Sequence, residues 1–305
     1  MNTEKGKMTS RCGYAAIVGR PNVGKSTLLN ALLGERVAIV TPKPQTTRHR
    51  ITGILNSENS QTIFLDTPGY HRSGKTLNRM MNEIVDSVIG DADVVCLMVE
   101  AGCADDSIER NLFDRIGAEK TIVVLNKCDR IGRERFDELA SKYRDEWGAK
   151  ELVIISALKK QGVLTLVDAI RERLPEGPPL FPDDIYTEHT VRFLAAELIR
   201  EQVFLQMQQE IPYSAAVEIE EFHDPTPERA ITDIRAAIIV EKESQKGMVV
   251  GRGGRRIKEI GKRARKVIEE LVGGKVFLEL HVRVERDWTK DRGAIRRLGY
   301  TSQLD

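Results

Sequence analysis

Short apolar runs rich in β-branched residues alternate with longer amphipathic stretches from residue 14 to about residue 174. The apolar runs are residues 15–18, 62–65, 94–99, 121–125 and 152–155. Continuous apolar runs fit strands that are buried on both faces, and the stretches between them fit crossover helices. This pattern predicts a doubly wound α/β domain.

A sixth apolar run changes the expected sheet in one respect. Residues 51–55 precede the second run closely, and only a polar turn at residues 56–60 separates the two. Such a short polar connection predicts an antiparallel hairpin, because a parallel crossover needs many more residues. We therefore expect a mostly parallel six-stranded sheet with helices on both faces.

The alternation ends at a proline-rich segment, residues 174–184, which contains four prolines and a glycine. Beyond it a helical stretch, 191–206, precedes strand-like runs at 214–219 and 234–240, a glycine-centred turn, a basic helix and a third strand at 275–284. This order predicts a second, α+β domain with a small sheet. The expected division is an N-terminal extension at 1–12, a nucleotide-binding domain at 13–175, a linker at 176–186 and a second domain at 187–305. We expect the linker to let the two domains change their relative orientation with bound nucleotide.

Composition agrees with two globular domains. The 305 residues are 41% hydrophobic and 30% charged, with a formal net charge of +1, as in soluble proteins of two domains. The polar start and the lack of a long apolar run predict a cytoplasmic protein. The four cysteines lack CxxC spacing and are expected to stay as thiols.

Residues 19–26, GRPNVGKS, match the P-loop pattern GxxxxGK[ST] directly after the first strand and at the start of a helix. Backbone N–H groups of such a loop point at phosphate oxygens, and the helix N-terminus adds its positive dipole end. Lys25 is expected to reach the β- and γ-phosphates, and Ser26 to bind Mg²⁺. The predicted phosphate-binding residues are Asn22, Val23, Gly24, Lys25, Ser26 and Thr27.

Two further segments complete the expected phosphate and metal site. Asp66 and Gly69 belong to a DTPG sequence at a strand end, where a carboxylate can hold the Mg²⁺ water shell and a glycine N–H can sense the γ-phosphate. Residues 37–50 form a polar, proline-broken loop without periodicity. A threonine of this loop can complete the Mg²⁺ shell when the γ-phosphate is present. Thr47 is the first candidate and Thr46 the second.

Base recognition is predicted at the ends of two later strands. The sequence Asn126-Lys127-Cys128-Asp129 follows one of them, and Ser156-Ala157-Leu158 follows the next. Both lie at the carboxyl edge of the sheet, where ligands collect in this fold. The Asp129 carboxylate can accept hydrogen bonds from the guanine N1–H and amine, whereas adenine offers the wrong groups. We expect Asn126 to anchor the base, Lys127 to lie along its face, and the Ala157 N–H to bind the guanine oxygen.

With GRPNVGKS, QTTR, DTPG, NKCD and SAL in this order, the sequence resembles the translation-factor-related GTPases. The resemblance implies GTP hydrolysis with Lys25, Thr47 and Gly69 as catalytic residues. Tyr70 stands where Ras-like proteins carry a water-orienting glutamine, so slow intrinsic hydrolysis is expected. Asn22 either helps to bind K⁺, as in similar GTPases, or only shapes the loop. His71 is interpreted as a solvated loop residue rather than a general base.

The second domain contains a GxxG turn, Gly251 to Gly254, preceded by Met248-Val249-Val250 and followed by a basic helix. This arrangement resembles a type II KH domain, in which a nucleic-acid backbone approaches the side-chain-poor turn and flanking cations bind phosphates. The alternative is a solvated basic helix with a glycine cap. The predicted RNA-binding residues are Gly251, Arg252, Gly253, Gly254, Arg255, Lys258 and Lys262.

A G domain, a proline-rich linker and a C-terminal KH domain together resemble the Era family within the Era/TrmE-like GTPases. The resemblance implies binding of GTP or GDP, of single-stranded ribosomal RNA at the 3′ end of the small-subunit rRNA, and of the small ribosomal subunit during its assembly. We expect a monomer, and we do not expect DNA as a binding partner. Peripheral contact with the inner face of the cell membrane is left open as a further possibility. Two rival hypotheses are a signalling switch whose second domain binds a protein or a membrane, and a G domain that never cleaves its nucleotide.

Overall fold

The computed structural model describes residues 10–72, 74–132 and 134–301. Within these residues the chain forms two compact units, which are considered separately. Unit 1 comprises residues 10–38, 47–72 and 82–188, and unit 2 comprises 39–46, 74–81 and 189–301. Most of the N-terminal extension predicted at 1–12, up to Thr9, lies outside the described residues.

Unit 1 is built on a six-stranded sheet. Its strands are β1 (Arg11–Val18), β2 (Ile51–Ser57), β3 (Ser60–Asp66), β4 (Val94–Glu100), β5 (Thr121–Asn126) and β6 (Leu152–Ile154). The helices between or after them in the chain are α1 (Lys25–Leu33), α2 (Thr76–Asp91), α3 (Ser107–Ile116), α4 (Glu134–Ser141) and α5 (Val163–Arg171). Residues 76–81 of α2 belong to unit 2. Because β1 begins at Arg11, regular structure starts two residues inside the predicted extension.

The strand order is β2-β3-β1-β4-β5-β6. Strands β2 and β3 pair antiparallel, with Ile54 opposite Ile63, and every other neighbouring pair is parallel. The predicted mostly parallel sheet with one hairpin is therefore confirmed. Its central strands are buried on both faces, because consecutive residues, which point to opposite faces, are each 0% exposed: Ala16 and Ile17 in β1, and Leu97 and Met98 in β4. This is why these strands appear in the sequence as continuous apolar runs.

The proline-rich linker is hydrogen-bonded to unit 1. We call residues 175–188 the linker segment. The buried Gln61 of β3 accepts hydrogen bonds from the N–H groups of Leu180 (2.7 Å) and Phe181 (2.9 Å) and donates to the Phe181 carbonyl (2.8 Å). Farther along, Ile54 of β2 donates from its N–H to the Tyr186 carbonyl at 2.9 Å. The segment therefore continues unit 1 up to Glu188, because strand groups of β2 and β3 satisfy its backbone.

Unit 2 contains a three-stranded sheet and several helices. The helices are α6 (Val191–Gln206), α7 (Ile211–Ser214), α8 (Glu243–Val250), α9 (Arg255–Val272) and α10 (Arg292–Arg297). The strands are β7 (Ala216–His223), β8 (Ile231–Val240) and β9 (Lys275–Val284). At the start of α6 the Thr190 hydroxyl accepts from the Phe193 N–H at 3.2 Å, which is an ordinary N-terminal cap.

In this sheet β8 lies between antiparallel β7 and parallel β9, so the predicted α+β arrangement is confirmed. Two strand starts in this sheet differ from the prediction. Strand β8 begins at Ile231, three residues before the predicted start at 234. Ser214, which we expected to open β7, is the last residue of α7, where Pro212 favours a helical start and the Ser214 hydroxyl bonds back to the Glu210 carbonyl at 3.2 Å. In the described part of the chain, no helix combines the length and the apolar character needed to cross a membrane.

Candidate nucleotide site and nucleic-acid interface

The P-loop connects β1 to α1 through backbone conformations that need glycine. Gly24 has φ 107°, and a Cβ there would lie 2.3 Å from the Asn126 amide nitrogen. Both the backbone and the available space therefore exclude a side chain at this position. Helix α1 begins at Lys25, so its unpaired N-terminal N–H groups and positive dipole end lie at the loop. This is the geometry of an anion site.

Lys25 is buried, with 6% of the residue exposed. Its ammonium donates to the Gly19 carbonyl at 3.1 Å and to the Arg20 carbonyl at 3.0 Å. Burial lowers the pKa of Lys25 to about 8, although the charges of Asp66 and Glu109 oppose the shift. An ammonium that is buried against neutral carbonyls is well suited to an incoming anion.

The three residues predicted to bind Mg²⁺ lie together. The Ser26 hydroxyl donates to Asp66 Oδ2 at 2.6 Å and lies 2.7 Å from the Thr47 hydroxyl. Asp66 is fully buried, and its other oxygen, Oδ1, has no hydrogen-bond partner in the described structure. Burial raises the pKa of Asp66 to about 6, against the lowering effects of Lys25 and Ser26. A buried carboxylate oxygen without a donor, beside two hydroxyls, fits a hard cation and its water shell.

Gly69 packs directly on the P-loop. A Cβ on Gly69 would lie 2.6 Å from the backbone nitrogen of Pro21, so only glycine fits. The next residue, Tyr70, donates its N–H to the Gly19 carbonyl at 3.1 Å. Its ring packs against the core of unit 1, with the Arg115 guanidinium 5.5 Å from the ring centre. Tyr70, which stands where Ras-like proteins carry a water-orienting glutamine, thus has its ring against the core of unit 1.

His71 differs from the solvated loop residue expected from the sequence, because it is only half-exposed. Asn82 of α2 holds its backbone on both sides: Asn82 Oδ1 accepts from the His71 N–H at 3.1 Å, and Asn82 Nδ2 donates to the His71 carbonyl at 2.8 Å. Burial, with the charge of Lys25 second, lowers the pKa of His71 to about 4. The imidazole is therefore neutral at physiological pH and adds no positive charge to the site.

The loop between α1 and β2 is attached near its start by a residue that the sequence did not single out. Asn30 of α1 accepts from the N–H groups of Val37 (3.1 Å) and Ala38 (3.0 Å), and donates to the Ala38 carbonyl at 2.8 Å. Within unit 2, the Thr46 hydroxyl donates to the Lys43 carbonyl of its own loop at 2.7 Å. Thr47, the first candidate for the Mg²⁺ shell, has its hydroxyl 2.7 Å from that of Ser26.

Asn126 links two loops of the candidate base site. Its amide nitrogen donates to the Val23 carbonyl of the P-loop at 2.7 Å, and its amide oxygen accepts from the Ala157 N–H at 2.9 Å. The Ala157 N–H, which we expected to bind the guanine oxygen, is thus bonded to Asn126 in this structure. Asn126 accordingly holds the P-loop and the Ser156–Ala157 loop together.

Asp129 is exposed at the edge of the same site, as a ligand-facing carboxylate must be. The buried Ser156 hydroxyl donates to Asp129 Oδ1 at 2.6 Å, and this bond lowers the pKa of Asp129. Lys127 has φ 66°, and its ammonium lies 2.5 Å from Glu100 Oε2 at the end of β4. Glu100 therefore sets the direction of the Lys127 side chain, a role that no sequence motif indicated. Leu158 is 73% exposed beside this site.

In unit 2 the GxxG turn connects α8 to α9. Gly251, Gly253 and Gly254 have φ values of 70°, 60° and 74°. A Cβ on Gly251 would lie 2.8 Å from Arg256 Cβ. Arg256 also donates to the Met248 carbonyl near the end of α8 at 2.8 Å. The turn is therefore closely packed on one side and free of side chains at its glycines, which allows a polymer backbone to approach.

The exposed face of the GxxG turn and α9 is strongly basic. Within the described residues no carboxylate forms an ion pair with the exposed cations Arg252, Arg255, Lys258, Lys262, Arg265 and Lys266. Arg263, in contrast, pairs with Glu259 at 2.6 Å. Positions 255, 258, 262 and 266 recur at helical spacing along one face. The opposite face of α9 buries Ile260, Ala264 and Ile268 in the core of unit 2.

Two family models match the chain. The model described as 50S ribosome-binding GTPase matches residues 14–127, and the model described as KH domain matches residues 210–289. The first match contains the P-loop and the DTPG turn, and the second contains the GxxG turn and α9. A nucleotide-binding G domain followed by a KH domain is therefore confirmed.

Curated relatives and solved structures agree with these models. The chain is 47% identical to GTPase Era of Syntrophus aciditrophicus over 292 residues, which cover 95% of each chain. It is 45% identical to GTPase Era of Geobacter metallireducens, with 95% of this chain and 98% of that one covered.

A crystal structure of an Aquifex aeolicus Era variant bound to GDP and AlF₄⁻ matches with a TM-score of 0.90 at 40% identity, covering 95% of this chain and 99% of that chain. Era in complex with MgGDPNP and nucleotides 1506–1542 of 16S ribosomal RNA matches with a TM-score of 0.90 at 41% identity, covering 96% and 99%. Relatives this similar along nearly the whole chain show that it belongs to the Era family of GTPases.

Proposed function

We propose that this GTPase binds single-stranded RNA at the 3′ end of the small-subunit rRNA and assists assembly of the small ribosomal subunit. GTP and GDP states would control its engagement with the RNA or the ribosome. The observation that carries the RNA part is the row of exposed, unpaired cations beside the GxxG turn. The related Era structure with a 16S rRNA fragment supports the same ligand class.

The chemistry of this surface favours a single strand. The cations can neutralise successive phosphates, while the glycine turn lets the backbone come close. Apolar side chains of α9 and β9 are only half-buried, among them Ile257, Leu278 and Leu280, and a Cβ on Gly261 of α9 would lie 3.4 Å from Leu280. Unpaired bases can pack on such side chains, as KH domains bind about four of them. DNA is not proposed as a partner.

In unit 1 we propose that Ser26, Thr47 and Asp66 hold Mg²⁺, with the unpartnered Asp66 oxygen as the main support. When bound, Mg²⁺ would neutralise charge on the β- and γ-phosphates. Lys25 would donate to these phosphates, and the Gly69 N–H would sense the γ-phosphate. The remaining proposed GTP contacts are Asn22, Val23, Gly24, Thr27, Asn126, Lys127, Asp129, Ser156, Ala157 and Leu158.

Charge removal beside the GxxG turn tests the RNA proposal. A variant with Arg252→Gln, Arg255→Gln and Lys258→Gln is expected to bind single-stranded 3′-end rRNA about a hundredfold more weakly at low salt, because several phosphate contacts are lost. The slope of log affinity against log salt should fall in parallel. Fluorescence anisotropy over a salt series measures both quantities.

The matched control removes three cations of unit 2 that already have carboxylate partners, with Arg229→Gln, Arg235→Gln and Lys290→Gln. It should bind RNA nearly as well as the wild type. Equal losses in the two variants would contradict a specific RNA face. Binding to anionic lipid vesicles in place of RNA would instead support the membrane alternative, namely peripheral contact on the inner face of the cell membrane.

We also propose K⁺ as a second cation at the phosphates. The Arg20 guanidinium is bonded to Glu109, Tyr70 packs into the core, and His71 is neutral. Among the described P-loop side chains, this leaves Lys25 to supply positive charge to the phosphates. One such charge would leave part of the negative charge of the transition state uncompensated. Asn22, at φ 62° on the exposed side of the P-loop, offers an amide oxygen for K⁺.

Single-turnover hydrolysis in K⁺ and in Na⁺ tests this idea. We expect about tenfold faster hydrolysis in K⁺, since one well-placed charge contributes at least that much to transition-state stabilisation. Asn22→Ala should abolish the difference, while Asn111→Ala on the exposed side of α3 should retain it. Equal wild-type rates in the two salts would exclude a role for K⁺.

For the domain boundaries we propose a G domain at 13–175, a linker at 176–186 and a KH domain at 187–305. The ranges matched by the two family models lie inside these bounds, which supports the division. The hydrogen bonds of the linker segment to Gln61 and Ile54 favour counting it with the G domain. A monomer in the cytoplasm is the proposed working state.

A further inference from the structure

A buried carboxylate outside the nucleotide motifs forms an ion pair with an arginine of the P-loop. Glu109 lies in the first turn of α3 and is 1% exposed. Its Oε1 accepts from Arg20 Nε at 2.6 Å, and its Oε2 accepts from Arg20 Nη2 at 2.7 Å. This is a two-pronged guanidinium–carboxylate pair, which fixes orientation as well as distance.

Several contacts of the site are made by the backbone carbonyls of Arg20 and of its neighbour Gly19. The Arg20 carbonyl accepts from the Lys25 ammonium at 3.0 Å. The adjacent Gly19 carbonyl accepts from the same ammonium and from the Tyr70 N–H, each at 3.1 Å. The backbone of Gly19 and Arg20 therefore joins the P-loop lysine to the turn that contains Gly69.

The pair is strongly held. Burial alone would lower the pKa of Arg20, but the hydrogen bond and the charge of Glu109 outweigh it, so the pKa of Arg20 is raised. Breaking a pair with a buried carboxylate leaves an uncompensated charge, which makes alternative positions of Arg20 costly. The Arg20 guanidinium therefore stays bonded to Glu109 of α3 and is not directed at the phosphates.

We propose that Glu109 is a positioning residue for GTP hydrolysis, which through Arg20 sets the distance between the Lys25 ammonium and the Gly69–Tyr70 turn at the γ-phosphate. This inference rests on the proposed nucleotide site. The loop residues expected to bind the α- and β-phosphates, 22–26, follow this point in the chain. Loss of the Arg20–Glu109 pair should therefore weaken contacts to the γ-phosphate more than contacts to the α- and β-phosphates, which GDP also carries.

Glu109→Gln tests the inference, because it removes the charge and keeps the size of the side chain. We expect kcat to fall about tenfold and the affinity for a non-hydrolysable GTP analogue to fall similarly, since small displacements of catalytic groups have effects of at least this size. The Kd for GDP should stay within about twofold of the wild type, because uniform binding is retained. Stopped-flow kinetics with fluorescent nucleotides separates these quantities.

Arg20→Lys is the second variant, in case Glu109→Gln does not fold. Lysine keeps the charge but cannot make the two-pronged contact with Glu109. The same loss of affinity for the GTP analogue relative to GDP is therefore expected. Asp114→Asn, on the exposed part of α3, is the matched control and should behave as the wild type.

Three results would overturn the inference. One is an unchanged kcat and GTP-to-GDP affinity ratio in both variants. The second is an equal loss of GDP and GTP affinity together with a lower melting temperature, which would indicate a purely structural pair. The third is wild-type protein that hydrolyses no GTP in the same assay, which would overturn the proposed nucleotide site as well.

Discussion

Replacing Lys25 by methionine is expected to reduce kcat/KM for GTP about a thousandfold, because the site would then lose the charge proposed to face the β- and γ-phosphates. Among the described residues, the hydrogen-bond partners of the buried Lys25 ammonium are the carbonyls of Gly19 and Arg20. Multiple-turnover phosphate release measures the loss. Lys150→Met, at an exposed surface ion pair, is the control and should leave turnover unchanged.

The same substitution should stabilise the nucleotide-free protein. Folding lowers the pKa of Lys25 from 10.5 to about 8, so the folded state binds the proton less tightly than the unfolded state. The resulting cost is fully present below about pH 8, shrinks as the pH rises, and vanishes above about pH 10.5. At pH 7 we expect Lys25→Met to raise the free energy of unfolding by on the order of 2 kcal/mol.

Denaturant unfolding at several pH values, without nucleotide, measures this gain. The difference between variant and wild type should be largest at neutral pH and small near pH 10.5, the ordinary pKa of lysine. A variant that is less stable than the wild type at pH 7 would contradict the interpretation of Lys25 as a strained, ligand-directed charge. Loss of function with gain of stability is the expected result for a preorganised site.

Asp129→Asn is expected to weaken GTP binding about a hundredfold and to create a preference for xanthosine triphosphate. The carboxylate would accept from two guanine donors, whereas an asparagine amide would place a donor against the guanine amine. Xanthine carries an oxygen at that position and would accept from the amide. Because the Ser156 hydroxyl can still donate to the side-chain oxygen, as it does to Asp129, the loop geometry should be retained.

Competition binding with GTP, XTP and ATP measures this change of base preference. Asp168→Asn, at an exposed position of α5, is the control and should keep the preference for guanine. Equal binding of GTP by Asp129→Asn and wild type would exclude Asp129 as the base-recognising carboxylate. Tight binding of ATP by the wild type would contradict guanine recognition altogether.

The sequence identified most of the sheet because burial imposes a local pattern. Strands covered on both faces need apolar residues at every position, and this appears as runs such as residues 94–99 and 121–125. Helix α6 and strand β9 coincide with the predicted ranges 191–206 and 275–284. The start of β7 was wrong because a four-residue helix is too short to show a period.

The nucleotide motifs were visible for a related reason. The P-loop places consecutive residues around one phosphate group, so the residues that bind it stand next to one another in the sequence. The same applies to the GxxG turn, whose glycines at φ 70°, 60° and 74° are close neighbours in the chain. The function of the chain as a GTPase with a KH domain could therefore be inferred from the sequence.

By itself, then, the sequence determined the sheet, the two domains and the motifs that bind phosphate, because each depends on residues near one another in the chain. Only the tertiary structure decided that Glu109 holds Arg20, 89 residues away, that Glu100 directs Lys127, and that Gln61 binds the linker segment, up to 120 residues away. These contacts join single polar side chains across separate elements. They leave no periodic pattern, since one buried carboxylate or amide looks like any other polar residue until folding gives it a partner.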